Sequence, residues 1–77
     1  MRATEVITAI SIETTDDELV IRLADREVRI RWERCSPILA AARADERRRA
    51  KLSPGGYGIN WPTLDEDLSI GSLVGKA

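Results

Sequence analysis

Histidine and phenylalanine are absent from this sequence of 77 residues, and cysteine occurs only once, as Cys35. A single cysteine excludes an internal disulfide bond and is typical of proteins from a reducing compartment. Without histidine, a zinc site would depend on Cys35 and carboxylates, and Cys35 would lack the base that usually activates a nucleophilic thiol. The composition therefore predicts no cofactor, no bound metal and no catalytic residue.

Long hydrophobic runs are missing as well. No apolar stretch approaches the roughly 20 residues that a membrane-spanning helix needs. The first ten residues, MRATEVITAI, contain no apolar stretch of signal-peptide length followed by a cleavage site. We therefore expect a cytoplasmic protein without membrane contact. The length predicts a single domain over residues 1–77 with a marginal core.

The charges are unevenly distributed along the chain. Residues 22–51 contain ten of the twelve basic groups and five acidic ones, a balance of +5, whereas the rest of the chain carries -6. Such segregation indicates either a basic face for a partner or termini that fold back and neutralise the middle. The overall charge of -1 favours the second interpretation.

Three stretches alternate apolar and polar residues with the period of a β-strand. They cover residues 4–12, 19–23 and 27–32, and the last two, separated by the short polar segment ADR, predict a β-hairpin. A further strand is expected over 57–61, after a Pro-Gly-Gly turn that excludes helix, and a short strand at 50–52 before that turn.

The hydrophobic period changes after residue 35. Ser36 followed by Pro37 is typical of a helix start. The alanine-rich stretch behind them predicts a helix that ends between Arg43 and Arg49. Ser69 is expected to cap a short last helix over 70–74. The predicted fold class is α+β: a small antiparallel sheet of about four strands packed against one main helix, with a short C-terminal helix.

The stretch WPTLDEDL, residues 61–68, places Asp65, Glu66 and Asp67 before that last helix. Pro62 has no N–H and is expected to end the preceding strand. Negative charge ahead of a helix N-terminus is stabilising, whereas a calcium loop would need more oxygen ligands and a glycine at a set position. The pattern favours a capping role, and partner binding through Asp65 and Asp67 is the alternative.

The arginine-rich segment, residues 43–51, has three interpretations: a solvated face, a protein contact or a phosphate contact. Its two carboxylates, Asp45 and Glu46, cannot pair with every guanidinium, so at least one arginine is expected to point to solvent. Replacing residues 47–49 by alanine should leave thermal stability nearly unchanged, since exposed charges contribute little. No nucleic-acid motif is present. The arginines concerned are Arg43, Arg47, Arg48 and Arg49.

Two motifs carry a resemblance to a known family: the helix start WERCSPILAAA and the stretch GYGINWPTLDEDLSI. They resemble the small bacterial proteins grouped as domain of unknown function 2442 (DUF2442), over roughly residues 3–74. The resemblance implies a compact α+β fold, an antiparallel sheet that carries one main helix, and an antitoxin-like role beside a small partner protein. It implies no catalytic residues. Some relatives have a helix-turn-helix extension that is not found in this sequence.

Residues and resemblance together favour a non-enzymatic protein-interaction module, the regulatory or antitoxin-like member of a bacterial two-protein system, with a small protein as partner. The alternative is a nucleic-acid-associated module that uses the arginine-rich segment. The candidate partner-binding residues are Arg43, Arg47, Arg48, Arg49, Asp65 and Asp67.

Overall fold

The computed structural model describes residues 7–77. Within them lie six β-strands, four short α-helices and two 3-10 turns, at Pro54–Gly56 and Pro62–Leu64. The strands are β1 (Ser11–Thr14), β2 (Glu18–Arg22), β3 (Glu27–Arg31), β4 (Lys51–Leu52), β5 (Gly58–Trp61) and β6 (Glu66–Ser69). The helices are α1 (Trp32–Cys35), α2 (Pro37–Ala41), α3 (Ala44–Arg47) and α4 (Ile70–Val74).

The first sheet is an antiparallel meander in the order β1-β2-β3. The predicted hairpin is confirmed, with Leu19 opposite Ile30 and Ile21 opposite Val28 on the buried face. The strand predicted over 4–12 is wrong in its limits, because β1 begins at Ser11 and residues 4–6 lie outside the described part. Ala9 instead donates its N–H to the carbonyl of Gly56, 2.8 Å away, in the first 3-10 turn.

Three short helices replace the main helix that the sequence predicted. Ser36 caps α2 as expected, since its Oγ accepts the N–H of Leu39 at 3.1 Å. The helix then stops, because Ala42 and Arg43 are both extended, with ψ near 160°. Trp32, predicted as the last residue of the third strand, begins α1 instead. The expectation of one main helix is therefore corrected.

The side chain of Arg47 gives the physical reason for this break. In a continuous helix the carbonyls of Leu39 and Ala40 would accept the N–H groups four residues later. Here they accept the Nε and Nη2 of Arg47, both at 2.8 Å. The guanidinium thus occupies acceptors that a longer helix would use, namely the carbonyl of Ala40 and that of Leu39, which also accepts the N–H of Ala42 at 3.3 Å.

The second sheet is antiparallel in the order β4-β5-β6. Short strands near 50–52 and 57–61 are confirmed, and Trp61 is the last strand residue before Pro62, as predicted. The strand β6 was not predicted, and the six strands form two sheets, so the prediction of about four strands in one sheet is wrong, although the α+β class holds. Ser69 caps α4 over the predicted residues, with its Oγ accepting the N–H of Ser72 at 3.1 Å.

A single hydrophobic cluster contains residues from both sheets and from the helices between them. Its largest members, Trp32 and Trp61, are 1% and 0% exposed and meet edge to face with ring centroids 6.4 Å apart. Both indole N–H groups have acceptors, Trp32 in the carbonyl of Thr15 at 2.9 Å and Trp61 in that of Arg47 at 3.1 Å. The two aromatic side chains therefore join the sheets without leaving a buried donor unpaired. None of the described helices has the length and apolar character of a membrane span.

Candidate partner-binding surface

Arg47 has a structural position that differs from the surface role expected for it. Its side chain is half-buried, binds the two carbonyls of α2, and lies 5.6 Å from the centroid of the Trp32 ring. The expected insensitivity of thermal stability to alanine at residues 47–49 assumed that all three charges are exposed, and this assumption is corrected for Arg47. In the sequence, Arg47 is simply an arginine shortly after an alanine-rich helix. Many exposed arginines have the same position, so this pattern could not distinguish Arg47 from Arg48 and Arg49.

Arg43 is exposed and has a local partner. Its Nε lies 3.4 Å from Oδ1 of Asp45, and its backbone N–H donates to Glu46 Oε1 at 3.1 Å. The side-chain hydrogen bond between Arg43 and Asp45 raises the pKa of the guanidinium and lowers the pKa of the carboxyl group. Both groups are in solvent, so this pair contributes little to stability.

The other arginines that pair do so with nearby carboxylates. In the first sheet Arg29 contacts Glu27 at 2.9 Å and Glu18 at 3.3 Å, and Arg22 contacts Glu27 at 3.2 Å. Over residues 7–77 no ion pair joins an arginine to the carboxylates of residues 65–67. Within the described chain, residues 65–67 therefore add no ion pair to the neutralisation of the basic middle, whereas Glu18, which lies outside that middle, contributes one through Arg29.

Arg48, Arg49 and Lys51 are the remaining cations of the arginine-rich segment. All three are exposed, and none has an ion-pair partner among the described residues. Arg49 and Lys51 line an open groove of about 330 Å³ whose other walls are Ala50, Pro62 and Thr63. The groove lies where the chain leaves the β4–β5 ladder, because Pro62 starts a 3-10 turn and offers no N–H to the ladder.

Asp65 and Asp67 are exposed at the opposite side of the second sheet. Asp65 has a left-handed backbone (φ 52°) at the end of the second 3-10 turn. Asp67 lies in β6 and faces a second open groove, about 320 Å³ in volume, beside Tyr57 and Gly58. Both carboxylates precede the last helix, as predicted, but Asp67 lies in a strand that was not predicted.

The structure does not gather the predicted residues into one site. Lys51, Asn60 and Asp67 are register neighbours across the three strands of the second sheet. Because adjacent strands lie about 4.8 Å apart, the basic edge at β4 and the acidic edge at β6 are separated by roughly 9.6 Å. The molecule thus has a cationic edge and an anionic edge on one small sheet. Within residues 7–77 no cluster of three or more His, Cys, Asp or Glu side chains could hold a metal ion.

Cys35 is fully buried. Desolvation by burial raises the pKa of its thiol from 9.0 to about 11, although Lys76 and Arg47 partly oppose this shift. The Nζ of Lys76 donates to the Cys35 carbonyl at 3.0 Å. The side chain is therefore a neutral thiol near pH 7, and this state is unsuited to nucleophilic attack.

The two sheets, the short helices and the exposed charged edges define a small α+β domain with one shared core. The chain belongs to the DUF2442 family, described as a protein of unknown function, whose model matches residues 9–77. This confirms the resemblance of the two sequence motifs. No curated protein and no solved structure matches the sequence.

Proposed function

We propose that the protein is a non-enzymatic interaction module, the regulatory or antitoxin-like member of a bacterial two-protein system, and that its arginine-rich segment binds a small partner protein. The observation that supports this most is the set of three exposed cations, Arg48, Arg49 and Lys51, without ion-pair partners among the described residues. Elsewhere in the described chain, most exposed arginines already contact a carboxylate.

The groove beside these cations supports a protein partner in particular. Its walls include Ala50, Pro62 and the aliphatic parts of Arg49 and Lys51, so apolar surface lies directly next to positive charge. Arginine is enriched in protein interfaces because its planar head pairs with carboxylates and its stem packs on apolar groups. A partner side chain that enters the groove would be flanked by cations, so the partner surface should be acidic around an apolar residue.

The experiment is a capture of the protein with its partner from cells that express it naturally. The variant Arg48→Ala/Arg49→Ala should reduce the recovered partner about tenfold or more, a loss typical of interface arginines. The control Arg26→Ala/Arg31→Ala removes the same charge from exposed residues that already contact Asp25 and Glu33. Partner recovery that is equal for the two variants would contradict the proposed role of the segment.

A nucleic-acid partner is the second candidate, supported by three exposed cations within four residues. Its affinity should fall linearly with salt on a double-logarithmic plot, with a slope of about 0.9 per phosphate neutralised on duplex DNA. Binding to duplex DNA or RNA that is measured at several salt concentrations, and that is lost in the Arg48→Ala/Arg49→Ala variant, would favour this candidate over the protein partner.

A further inference from the structure

We propose that the second sheet extends from one copy of this chain to the next, with the β4 edge of one copy paired to the β6 edge of its neighbour. The inference rests on the proposed function, since it also treats the arginine-rich segment as a protein contact, and it commits to a second copy as the occupant. The surfaces involved are the basic edge, Arg49–Leu52, and the acidic edge, Asp65–Ser69.

Among the described residues, both edges of the second sheet have an outer side that no strand covers. Antiparallel partners alternate between hydrogen-bonded and non-hydrogen-bonded pairs. The N–H of Ser53 donates to Gly58 and that of Ile70 donates to Tyr57, both at 2.8 Å. By alternation, Leu52 on β4 points its N–H and C=O away from β5, and Asp67 and Ser69 do so on β6.

The directions of the strands fit such a junction. β4 and β6 both run antiparallel to β5, so they run parallel to each other. A copy that is added in the same orientation therefore forms a parallel pair. In a parallel pair, one residue bonds to the two neighbours of the residue opposite. With Leu52 opposite Leu68 of the next copy, its N–H meets the carbonyl of Asp67 and its C=O meets the N–H of Ser69.

The side chains fit in the same register. Leu52 and Leu68 both pack against the core, so they would continue one buried row, Leu52–Ile59–Leu68, into the next copy. On the opposite face the same register places Lys51 against Asp67 of the neighbour. Two residues earlier in each chain, at the next position on this face, Arg49 approaches Asp65 of the neighbour. None of these four charged groups has an ion-pair partner over residues 7–77.

Charge also selects this pairing over the symmetric ones. A junction between two β6 edges would bring the carboxylates of Glu66 and Asp67 close to those of the second copy. A junction between two β4 edges would bring the cations of Arg49 and Lys51 close to those of the second copy. Like charges opposite each other on neighbouring strands are destabilising, whereas opposite charges are stabilising. Each edge is thus protected against itself and complementary to the other, which makes the contact head to tail.

The contact is small, because β4 contains only two residues. It falls below the interface area of roughly 1,000 Å² that stable complexes bury. We therefore expect a weak association, with a Kd of about 0.1–1 mM, that decreases as salt screens the charges.

The test is sedimentation velocity of the full chain over increasing protein concentration, at low and high salt. The variants Lys51→Asp and Asp67→Lys each reverse one edge, and each should weaken self-association about tenfold, as expected for like charges across a pair of strands. In an equimolar mixture, every junction between unlike variants again places an acidic group opposite a basic one, so self-association should return to about the level of the parent. Asp16→Lys, at an exposed position in a turn of the first sheet, is the matched control and should associate like the parent.

Three results would overturn the proposal. The first is a sedimentation coefficient that does not change with protein concentration up to about 1 mM. The second is a loss of self-association in only one of the two variants, which would indicate a symmetric contact. The third is a mixture of the two variants that stays monomeric. Thermal melts establish whether each variant is folded. If a charge-reversal variant is not folded, the neutral variants Lys51→Gln and Asp67→Asn replace the pair.

Asp67→Lys leaves Arg48 and Arg49 unchanged. Partner capture that persists in this variant while self-association is lost therefore separates the two proposals.

Discussion

Arg47→Ala is expected to destabilise the protein far more than the same change at Arg48. The change removes two charged hydrogen bonds, to the carbonyls of Leu39 and Ala40, and the contact of the guanidinium with the Trp32 ring. Hydrogen bonds to charged groups contribute about 1.5–3 kcal/mol each, and a cation–π contact at a partly exposed site about 0.5–1 kcal/mol.

These contributions are not additive, and Ala40 is only half-buried, so water can replace part of the lost bond to its carbonyl. We therefore expect a loss of about 2–4 kcal/mol. At this chain length 1 kcal/mol shifts the Tm by about 4–8 °C, so the Tm should fall by roughly 8–32 °C. Arg48 makes no such contacts, and Arg48→Ala should stay within about 0.5 kcal/mol of the parent.

The assay is urea denaturation followed by tryptophan fluorescence, with thermal melts in parallel. Arg47→Lys retains the charge but lacks the planar fork that reaches both carbonyls, so it should lie between the parent and Arg47→Ala. A loss for Arg47→Ala that is no larger than that for Arg48→Ala would refute the reasoning. The backbone break after α2 would then need another cause.

Two further predictions concern buried side chains. Trp61→Phe should cost about 1–3 kcal/mol, because the Arg47 carbonyl loses its indole donor, whereas Trp61→Ala should cost about 3–5 kcal/mol in the same urea assay. A folded Trp61→Ala protein that is nearly as stable as the parent would contradict the core role of this residue. The pKa of Cys35, raised by burial to about 11 from 9.0, predicts a stabilisation that is complete below pH 9 and lost as the pH rises through 11, because the unfolded thiol ionises first. Urea midpoints of the parent and of Cys35→Ala between pH 8 and 10 measure this loss as a difference, and identical pH profiles would contradict it.

Local patterns in the sequence were enough for several elements. The alternation of Leu19, Ile21, Val28 and Ile30 predicted the hairpin, since every second residue of a strand faces the core. Ser36 and Ser69 marked helix starts because an N-cap is satisfied within three residues along the chain. These signals involve near neighbours, so they can be recognised without knowledge of the fold.

Distant contacts determined three other features: the end of α2, the strand β6 and the positions of the charged candidate residues. The break in the helix requires Arg47 to reach carbonyls seven and eight residues away, and its own carbonyl accepts the indole of Trp61 fourteen residues later. The sequence EDLS has a single apolar residue and becomes a strand only because β5 provides a partner edge. That pairing also places Asp67 across the sheet from Lys51. The residue types of the candidate surface could thus be identified from the sequence, but only the tertiary structure decided which of them share an edge, because strand pairing joins residues that no local pattern relates.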